Sequence, residues 1–197
     1  MGAQVLSGSI RDARGYTLVE MALVLVIMAV LVGGVMSTRG LVNNAKGTQL
    51  MRQVQELNAA IMSYSIKMGA LPGDTVGSDG AIDDSPGAFT ALADEDFILS
   101  VGTGELANAF EGIVHIIGNA DITSLSGTGG TLTAPAALTG TNYIIFTKIP
   151  AKFAGMIDSK LDNGTNNTGR IQSYNDGGTT AIDYTSTTLG NLYVQYN

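Results

Sequence analysis

The 197-residue sequence contains no cysteine and no tryptophan, and it has a single histidine. Without cysteine the chain has no disulfide framework, no thiolate metal ligand and no thiol nucleophile. The histidine, His115, is set inside an apolar stretch with no acidic residue next to it, so it suits a structural role better than proton transfer. Because no set of titratable groups converges in the sequence, we predict that the protein is not an enzyme.

Positive charge is also scarce, with 10 Lys and Arg against 17 Asp and Glu. The imbalance lies in the C-terminal part, which has 4 basic and 14 acidic residues from Asp74 onward. That part lacks the basic surface expected of a nucleic-acid-binding domain. The N-terminal part instead has basic residues on both sides of an apolar core, which is typical of a membrane-inserted segment.

One long apolar run stands near the N-terminus. Met21 to Met36 contains no charged residue, and with Tyr16 to Glu20 the segment has 21 residues before the chain reaches Arg39. About 20 residues of helix cross a membrane, whereas an ordinary signal peptide has an apolar core of about 7–15 residues. We therefore predict a transmembrane helix, and any removable segment must lie before it.

The helix is predicted to continue beyond Arg39 with a different character. Apolar residues recur at helical spacing, which indicates an amphipathic helix packed on its own domain; they are Leu50, Val54, Leu57, Ile61, Tyr64 and Met68. Gly69 and Pro72 predict its end. The pair Gly33-Gly34 is the expected place for a bend or local melting, because each glycine weakens a helix by about 1 kcal/mol relative to alanine.

Most of the 26 glycines lie beyond this helix, among Ser, Thr and Asn, which favours a β-rich domain with long polar loops. Short β-branched runs predict strands, and two further segments suit short helices. The predicted strands are 112–118, 142–149, 170–174 and 189–196, the predicted helices are 89–99 and 152–161, and 127–140 is expected to be a surface loop.

The residues before the apolar run form a specific pattern. Gly15-Tyr16-Thr17-Leu18-Val19-Glu20 follows a short segment that contains Arg11 and Arg14. Residues 14–36 resemble the processing site of type IV prepilins, in which a short basic leader ends in Gly. The first mature residue is then aromatic or apolar, a Thr-Leu pair follows, and Glu is the fifth mature residue before a transmembrane-length helix.

The resemblance implies an α+β type IV pilin fold, with the long N-terminal helix packed on a small antiparallel sheet. It implies cleavage between Gly15 and Tyr16 by a prepilin peptidase and N-methylation of the new terminus at Tyr16. The expected organisation is a leader (1–15), a transmembrane and filament-core helix (16–38), an amphipathic helix (39–68) and a β-rich head (69–197).

Glu20 is the costly feature of this segment, because an ionised carboxylate beside an apolar run loses hydration. Cleavage would create an ammonium group on Tyr16, four residues earlier, and pairing the two charges would recover much of that cost. The resemblance places the amine of an incoming subunit against Glu20 of its neighbour. Pairing within one chain is open as well, since residues four apart share a helix face.

Metal binding has only weak candidates. Asp158, Asp162 and Asn163 stand beside a glycine turn, but Ca²⁺ requires about six to eight oxygen ligands. The alternative is that these side chains close the loop by Asx-turn hydrogen bonds. A second acidic stretch, 79–84, lacks EF-hand spacing. We therefore predict no cofactor, with Ca²⁺ as the weaker alternative.

The resemblance implies a structural subunit of a type IV pilus-like extracellular filament. Its precursor would sit in the inner membrane with the C-terminal domain outside the cytoplasm. The implied partners are copies of itself, the prepilin peptidase, and an assembly platform and motor. The alternatives are a pseudopilin of a type II secretion system in a periplasmic pseudopilus, a minor pilin, and an exported binding domain on a membrane tether. The long Ser- and Thr-rich loops favour a surface pilus, for which cell adhesion is one possible role.

Overall fold

The structure is a computed structural model that describes residues 15–77, 79–99, 106–127, 130–175, 178 and 180–196. The predicted leader, up to residue 14, lies outside the described residues. The chain divides into two compact units between Asn43 and Asn44. The second of these, Asn44–Asn197, is called the C-terminal unit below.

Helix α1 (Leu18–Met68) is the first element and has 51 residues. It begins two residues after the predicted start at Tyr16 and ends at the predicted residue, where Gly69 adopts a left-handed φ of +72°. The helix is unbroken at Gly33 and Gly34, so the flexibility of this pair stays a prediction.

The N-terminal part of α1 exposes its large apolar side chains on all sides, from Leu18 at 90% to Val24 at 46%. A helix that is apolar all round needs a partner surface or a membrane. Among the described residues, α1 is the one helix that is long and apolar enough to cross a membrane.

The C-terminal part of α1 packs its predicted apolar stripe into a core. Leu50, Val54, Leu57 and Ile61 are at most 2% exposed, and Tyr64 is half-buried. The prediction was wrong for Met68, which is 48% exposed because the helix ends there and Gly69 turns the chain away.

The sheet has five antiparallel strands in the order β1-β2-β5-β7-β6. The predicted strands are confirmed, with small shifts at their ends, and this architecture is the α+β class that the resemblance implied. The strands are β1 (Leu106–Ala107), β2 (Ile113–Gly118), β5 (Asn142–Pro150), β6 (Ile171–Tyr174) and β7 (Leu189–Tyr196).

Two short helices join α1 on one face of the sheet. Helix α3 (Ala151–Leu161) lies where predicted, but α2 (Ser85–Asp94) begins four residues before and ends five residues before the predicted 89–99. Pro86 suits the first turn of a helix, and the left-handed Asp96 prevents continuation, which explains the shift.

The other face of the sheet has its own small core. Ile117, Tyr143, Ile145 and Tyr193 point to this side, where a 3₁₀ helix (Asn119–Ser124) and the strands β3 (Ser126–Gly127) and β4 (Gly130–Thr131) follow β2. Leu132 and Leu138 are buried against it. The expectation of a surface loop at 127–140 was therefore wrong for 132–140, because alternate residues of the strands are apolar on both faces and the second face needs a cover.

Gly47 marks a close contact rather than a weak point of α1. A Cβ at this position would lie 2.6 Å from Cδ1 of Phe153 and 2.8 Å from Cε of Met156, both on α3. Only a residue without a side chain lets the two helices approach this closely. The cost of Gly47 in helix propensity is thereby offset by the packing of α1 against α3.

We expect Gly47→Ala to lower the free energy of unfolding by about 1 kcal/mol. The gain of about 1 kcal/mol in helix propensity is smaller than the usual penalty of about 1–3 kcal/mol for overpacking. Urea unfolding of the detergent-solubilised chain, followed by tyrosine fluorescence, measures the change. Gln49→Ala, at an exposed position of the same helix, is the control, and a more stable Gly47→Ala variant would contradict the packing argument.

Candidate processing and assembly site

The site begins with three residues that precede helix α1. Gly15 is exposed, and an added Cβ would meet nothing within 4 Å. Tyr16 is 75% exposed, and Thr17 is the last residue before the helix. The peptide bond between Gly15 and Tyr16 is therefore accessible, and cleavage and methylation there stay predictions.

Thr17 and Glu20 form a reciprocal capping box. Thr17 N and Oγ1 each donate to Glu20 Oε2 at 3.4 Å, and Glu20 N donates to Thr17 Oγ1 at 3.2 Å. The first four N–H groups of a helix have no partner within the helix, and this arrangement satisfies two of the donors that such an end leaves open. The Thr-x-x-Glu pattern was present in the sequence, but its capping role was missed there.

The capping box explains part of how the chain tolerates Glu20 at this position. A carboxylate in the first turn interacts favourably with the positive end of the helix dipole, and a carboxylate accepts stronger hydrogen bonds than a neutral group. Both described hydrogen bonds reach Oε2. Among the described residues Oε1 is not engaged in this box, so the carboxylate retains capacity for a cationic partner.

The sequence of this segment matches one known family. Residues 10–36 match the family model of the prokaryotic N-terminal methylation motif. This is the prepilin-type cleavage and methylation motif of type IV pilins and pseudopilins, so the resemblance is confirmed. No curated protein and no solved structure matches the chain.

The motif carries some functional information of its own. It implies processing by a prepilin peptidase and polymerisation in general terms, and proteins with this motif are structural rather than enzymatic. Together with the apolar helix, it fits a precursor anchored in the inner membrane. The match ends at residue 36, so it contributes nothing on the C-terminal unit.

The weak calcium candidates lie together at the end of α3, where they close a loop. Asp158 Oδ1 accepts from Gly164 N at 2.9 Å, Asp162 Oδ2 accepts from Ile171 N at 2.9 Å, and Asn163 Oδ1 accepts from the N–H two residues later at 2.8 Å. These bonds are the loop-closing alternative to metal binding. Within the described residues no group of three or more His, Asp and Glu is arranged to hold a metal. Ca²⁺ binding by these residues stays a prediction, the weaker of the two alternatives.

Asp158 is fully buried and accepts a second hydrogen bond, from the Tyr184 hydroxyl to Oδ2 at 2.7 Å. Burial raises the pKa of Asp158, which the hydrogen bonds from Tyr184 and Gly164 partly oppose. Burial, and then the hydrogen bond to Asp158, raise the pKa of Tyr184 well above its usual value. The Tyr184 ring lies against Gly155, where a Cβ would come within 2.6 Å of Cγ.

The acidic stretch 79–84 is likewise used for folding. Asp83 Oδ2 accepts from Thr75 N and Val76 N at 3.1 and 2.8 Å. The stretch is tied to the sheet by Asn142, whose Oδ1 accepts from Ile82 N and whose Nδ2 donates to Gly80 O. Asn142 gave no signal in the sequence, because its partners lie about sixty positions away.

His115 is 4% exposed and faces the second core from β2. Burial lowers its pKa to about 4, so the imidazole is neutral at physiological pH. Its Nε2 has no hydrogen-bond partner in the part of the chain that the structure describes. None of the acids that the structure describes is hydrogen-bonded to it, which agrees with a structural role.

The raised pKa of Asp158 predicts a pH-dependent stability. The folded protein holds the Asp158 proton more tightly than the unfolded chain does, so this proton contributes to the free energy of unfolding. The contribution is fully present below the pKa of the unfolded chain, about 3.9, and it is lost as the pH rises through the pKa of the folded protein. We expect Asp158→Asn to remove this loss, so that wild type becomes less stable relative to the variant as pH rises from about 3.

Urea unfolding of both chains across this pH range is the measurement. Tyr184→Phe should steepen the loss, because the ionised carboxylate then has one donor fewer. Asp94→Asn, at an exposed position, serves as the control and should leave the slope unchanged. If the free energies of unfolding of wild type and Asp158→Asn change in parallel with pH, the pH dependence does not come from Asp158.

Proposed function

We propose that the protein is the precursor of a structural subunit of a type IV pilus-like extracellular filament. The prepilin peptidase removes residues 1–15, and the new amine on Tyr16 is methylated. An assembly platform and motor then extract the subunit from the inner membrane and add it to a filament of identical copies through helix α1.

The observation that carries this proposal is the exposed apolar surface of α1, which begins directly after the capped Glu20. Its large apolar side chains are roughly half exposed or more. The same surface faces lipid while the precursor is in the membrane and faces the helices of sister subunits after assembly. The membrane anchor is therefore temporary, and polymerisation replaces lipid by protein with little change in the apolar surface exposed to water.

Pairing between the Tyr16 amine of one copy and the Glu20 carboxylate of another would set the axial position of each subunit in the filament. In a dry bundle of apolar helices, an unpaired carboxylate and an unpaired ammonium group would each cost several kcal/mol. Glu20 Oε2 is held by Thr17 in the chain itself. The remaining capacity of the carboxylate suits the Tyr16 amine of an incoming copy, which would fix the axial position of that copy.

The second candidate is a pseudopilin of a type II secretion system, which shares the processing site but builds a short periplasmic filament. A Ca²⁺ site would favour this alternative, but the candidate carboxylates of Asp158 and Asp162 accept hydrogen bonds that close the loop after α3. We therefore keep the surface pilus as the proposal. The pseudopilus is the outcome to be recognised if filaments are found only in the periplasm.

We expect Glu20→Ala to be processed normally and to abolish filament assembly, because the Tyr16 amine would lack its counter-charge. Glu20→Gln separates the two roles of this side chain, since an amide still caps Thr17 but carries no charge. It should fail as Glu20→Ala does. Filament yield is measured in sheared surface fractions, and processing is measured from the size of the membrane-bound chain.

Thr17→Ala is the matched control, because it removes the cap and keeps the charge. It should assemble to within about ten-fold of wild type, since a cap contributes about 1 kcal/mol. Wild-type filament yield from Glu20→Gln would show that the cap, and not a charge pair, is what assembly requires.

N-terminal sequencing of the purified filament tests processing and the role of major subunit together. We expect the filament protein to begin with methylated Tyr16, followed by Thr-Leu-Val-Glu. Filaments confined to the periplasm would identify the pseudopilin alternative. An intact Met1 on a monodisperse membrane protein would refute the pilin proposal.

A further inference from the structure

A groove runs along one flank of α1 in the C-terminal unit, between the helix and the edge of the sheet. It consists of two adjoining cavities of about 280 and 550 Å³ that share Asn58 and Arg170. We call it the α1–β7 groove. Apolar residues of the helix and of β7 line much of it, among them Val54, Met62, Val194 and Tyr196.

The chemistry of the groove differs from that of its surroundings. No acidic residue is among the described residues that line it, although the chain from Asp74 onward has 14 acids and only 4 bases. Arg170 is exposed and donates one hydrogen bond, to Gln195 O at 3.3 Å. Met62 is 59% exposed. A partner suited to this groove therefore combines an apolar side chain with a carboxylate.

Another part of the same chain carries that combination. Leu99 is 92% exposed, and Asp94 and Asp96 nearby are exposed as well. Glu95, between them, forms an ion pair with Lys67, so its negative charge already has a partner within the chain. We call Asp94–Leu99 the acidic knob. Its base is anchored, because the Phe97 ring packs edge-on against Tyr64 at a centroid distance of 6.2 Å.

The groove and the acidic knob lie on opposite flanks of α1. The knob is fixed at Tyr64 and Lys67, whereas the groove is lined by Asn58 and Met62. At about 100° of rotation per residue, these two pairs of positions point to different sides of the helix. One copy therefore cannot place its own knob in its own groove, and the contact needs a second copy.

We propose that the acidic knob of one copy docks into the α1–β7 groove of the next copy. Leu99 then lies on the apolar lining near Met62, and Asp96 pairs with Arg170. The inference rests on the proposed function, since it concerns contacts between subunits of the filament. Such a contact joins two different surfaces, so it does not close on itself in pairs and propagates along an assembly.

The first test is a reciprocal charge reversal in the full chain. Arg170→Glu should lower filament yield about ten-fold, because the incoming Asp96 then meets a like charge. Asp96→Arg should do the same. The double variant restores an opposite-charge pair between copies and should recover most of the yield. Lys152→Glu makes the same charge change at an exposed position of α3 outside the groove and should assemble normally.

The second test uses the absence of cysteine in the chain, because any disulfide must then come from introduced residues. Filaments of a Met62→Cys, Leu99→Cys variant should give a ladder of cross-linked species under mild oxidation. Met62→Cys with Val76→Cys is the control pair, since Val76 is a similarly exposed apolar residue outside the knob. It should remain monomeric on the gel.

The outcomes separate the two proposals. If wild type forms no filaments, the proposed function fails and the docking contact fails with it. If wild type assembles but the double reversal is no better than the single variants, or the Met62–Leu99 cysteine pair gives no ladder, the docking contact alone is overturned. Urea unfolding of Arg170→Glu, of Asp96→Arg, of the double reversal and of the cysteine variants verifies that each remains folded, so that a loss of yield reports on assembly.

Discussion

The apolar surface of α1 between Leu18 and Val32 is exposed, and the molecule depends on what eventually covers it. A helix of this composition is unfavourable in water, so it must be in lipid or against other helices. This constraint fits a precursor anchored in the membrane, and in the proposed function the same surface would mediate assembly. It also accounts for the separate C-terminal unit, which has to fold with its own core whatever covers the helix.

The N-terminal end of that helix combines two kinds of electrostatic compensation. Within the chain, the side chains of Thr17 and Glu20 accept hydrogen bonds from each other's backbone N–H groups at the start of the helix. Between chains, the proposed partner of the carboxylate is an amine that does not exist until the leader is removed. In the proposed assembly, processing would have to come first, because the counter-charge becomes available only on a mature subunit. A cap alone would hold the helix end but would give no register.

In the C-terminal unit, the sheet carries apolar residues on both faces, and each face has its own cover. Helices α1, α2 and α3 bury one face, and the segment that contains Leu132 and Leu138 buries the other. Without disulfides, the loops are tied down by buried polar side chains such as Asn142 and Asp158. The acidic residues therefore divide into those that shape loops and those left at the surface, and the second group is available for contacts between copies.

The sequence alone determined the processing motif, the apolar run, the stripe from Leu50 to Tyr64 and most strands, because each depends on residues close together in the chain. Tertiary structure decided what depends on distant residues. The cover that Leu132 and Leu138 provide for the second face of the sheet is one case, and the others are the hydrogen bond between Asp158 and Tyr184 and the role of Gly47 as a contact with α3. A local pattern records periodicity and capping, whereas burial and close approach arise only when separate segments meet in space.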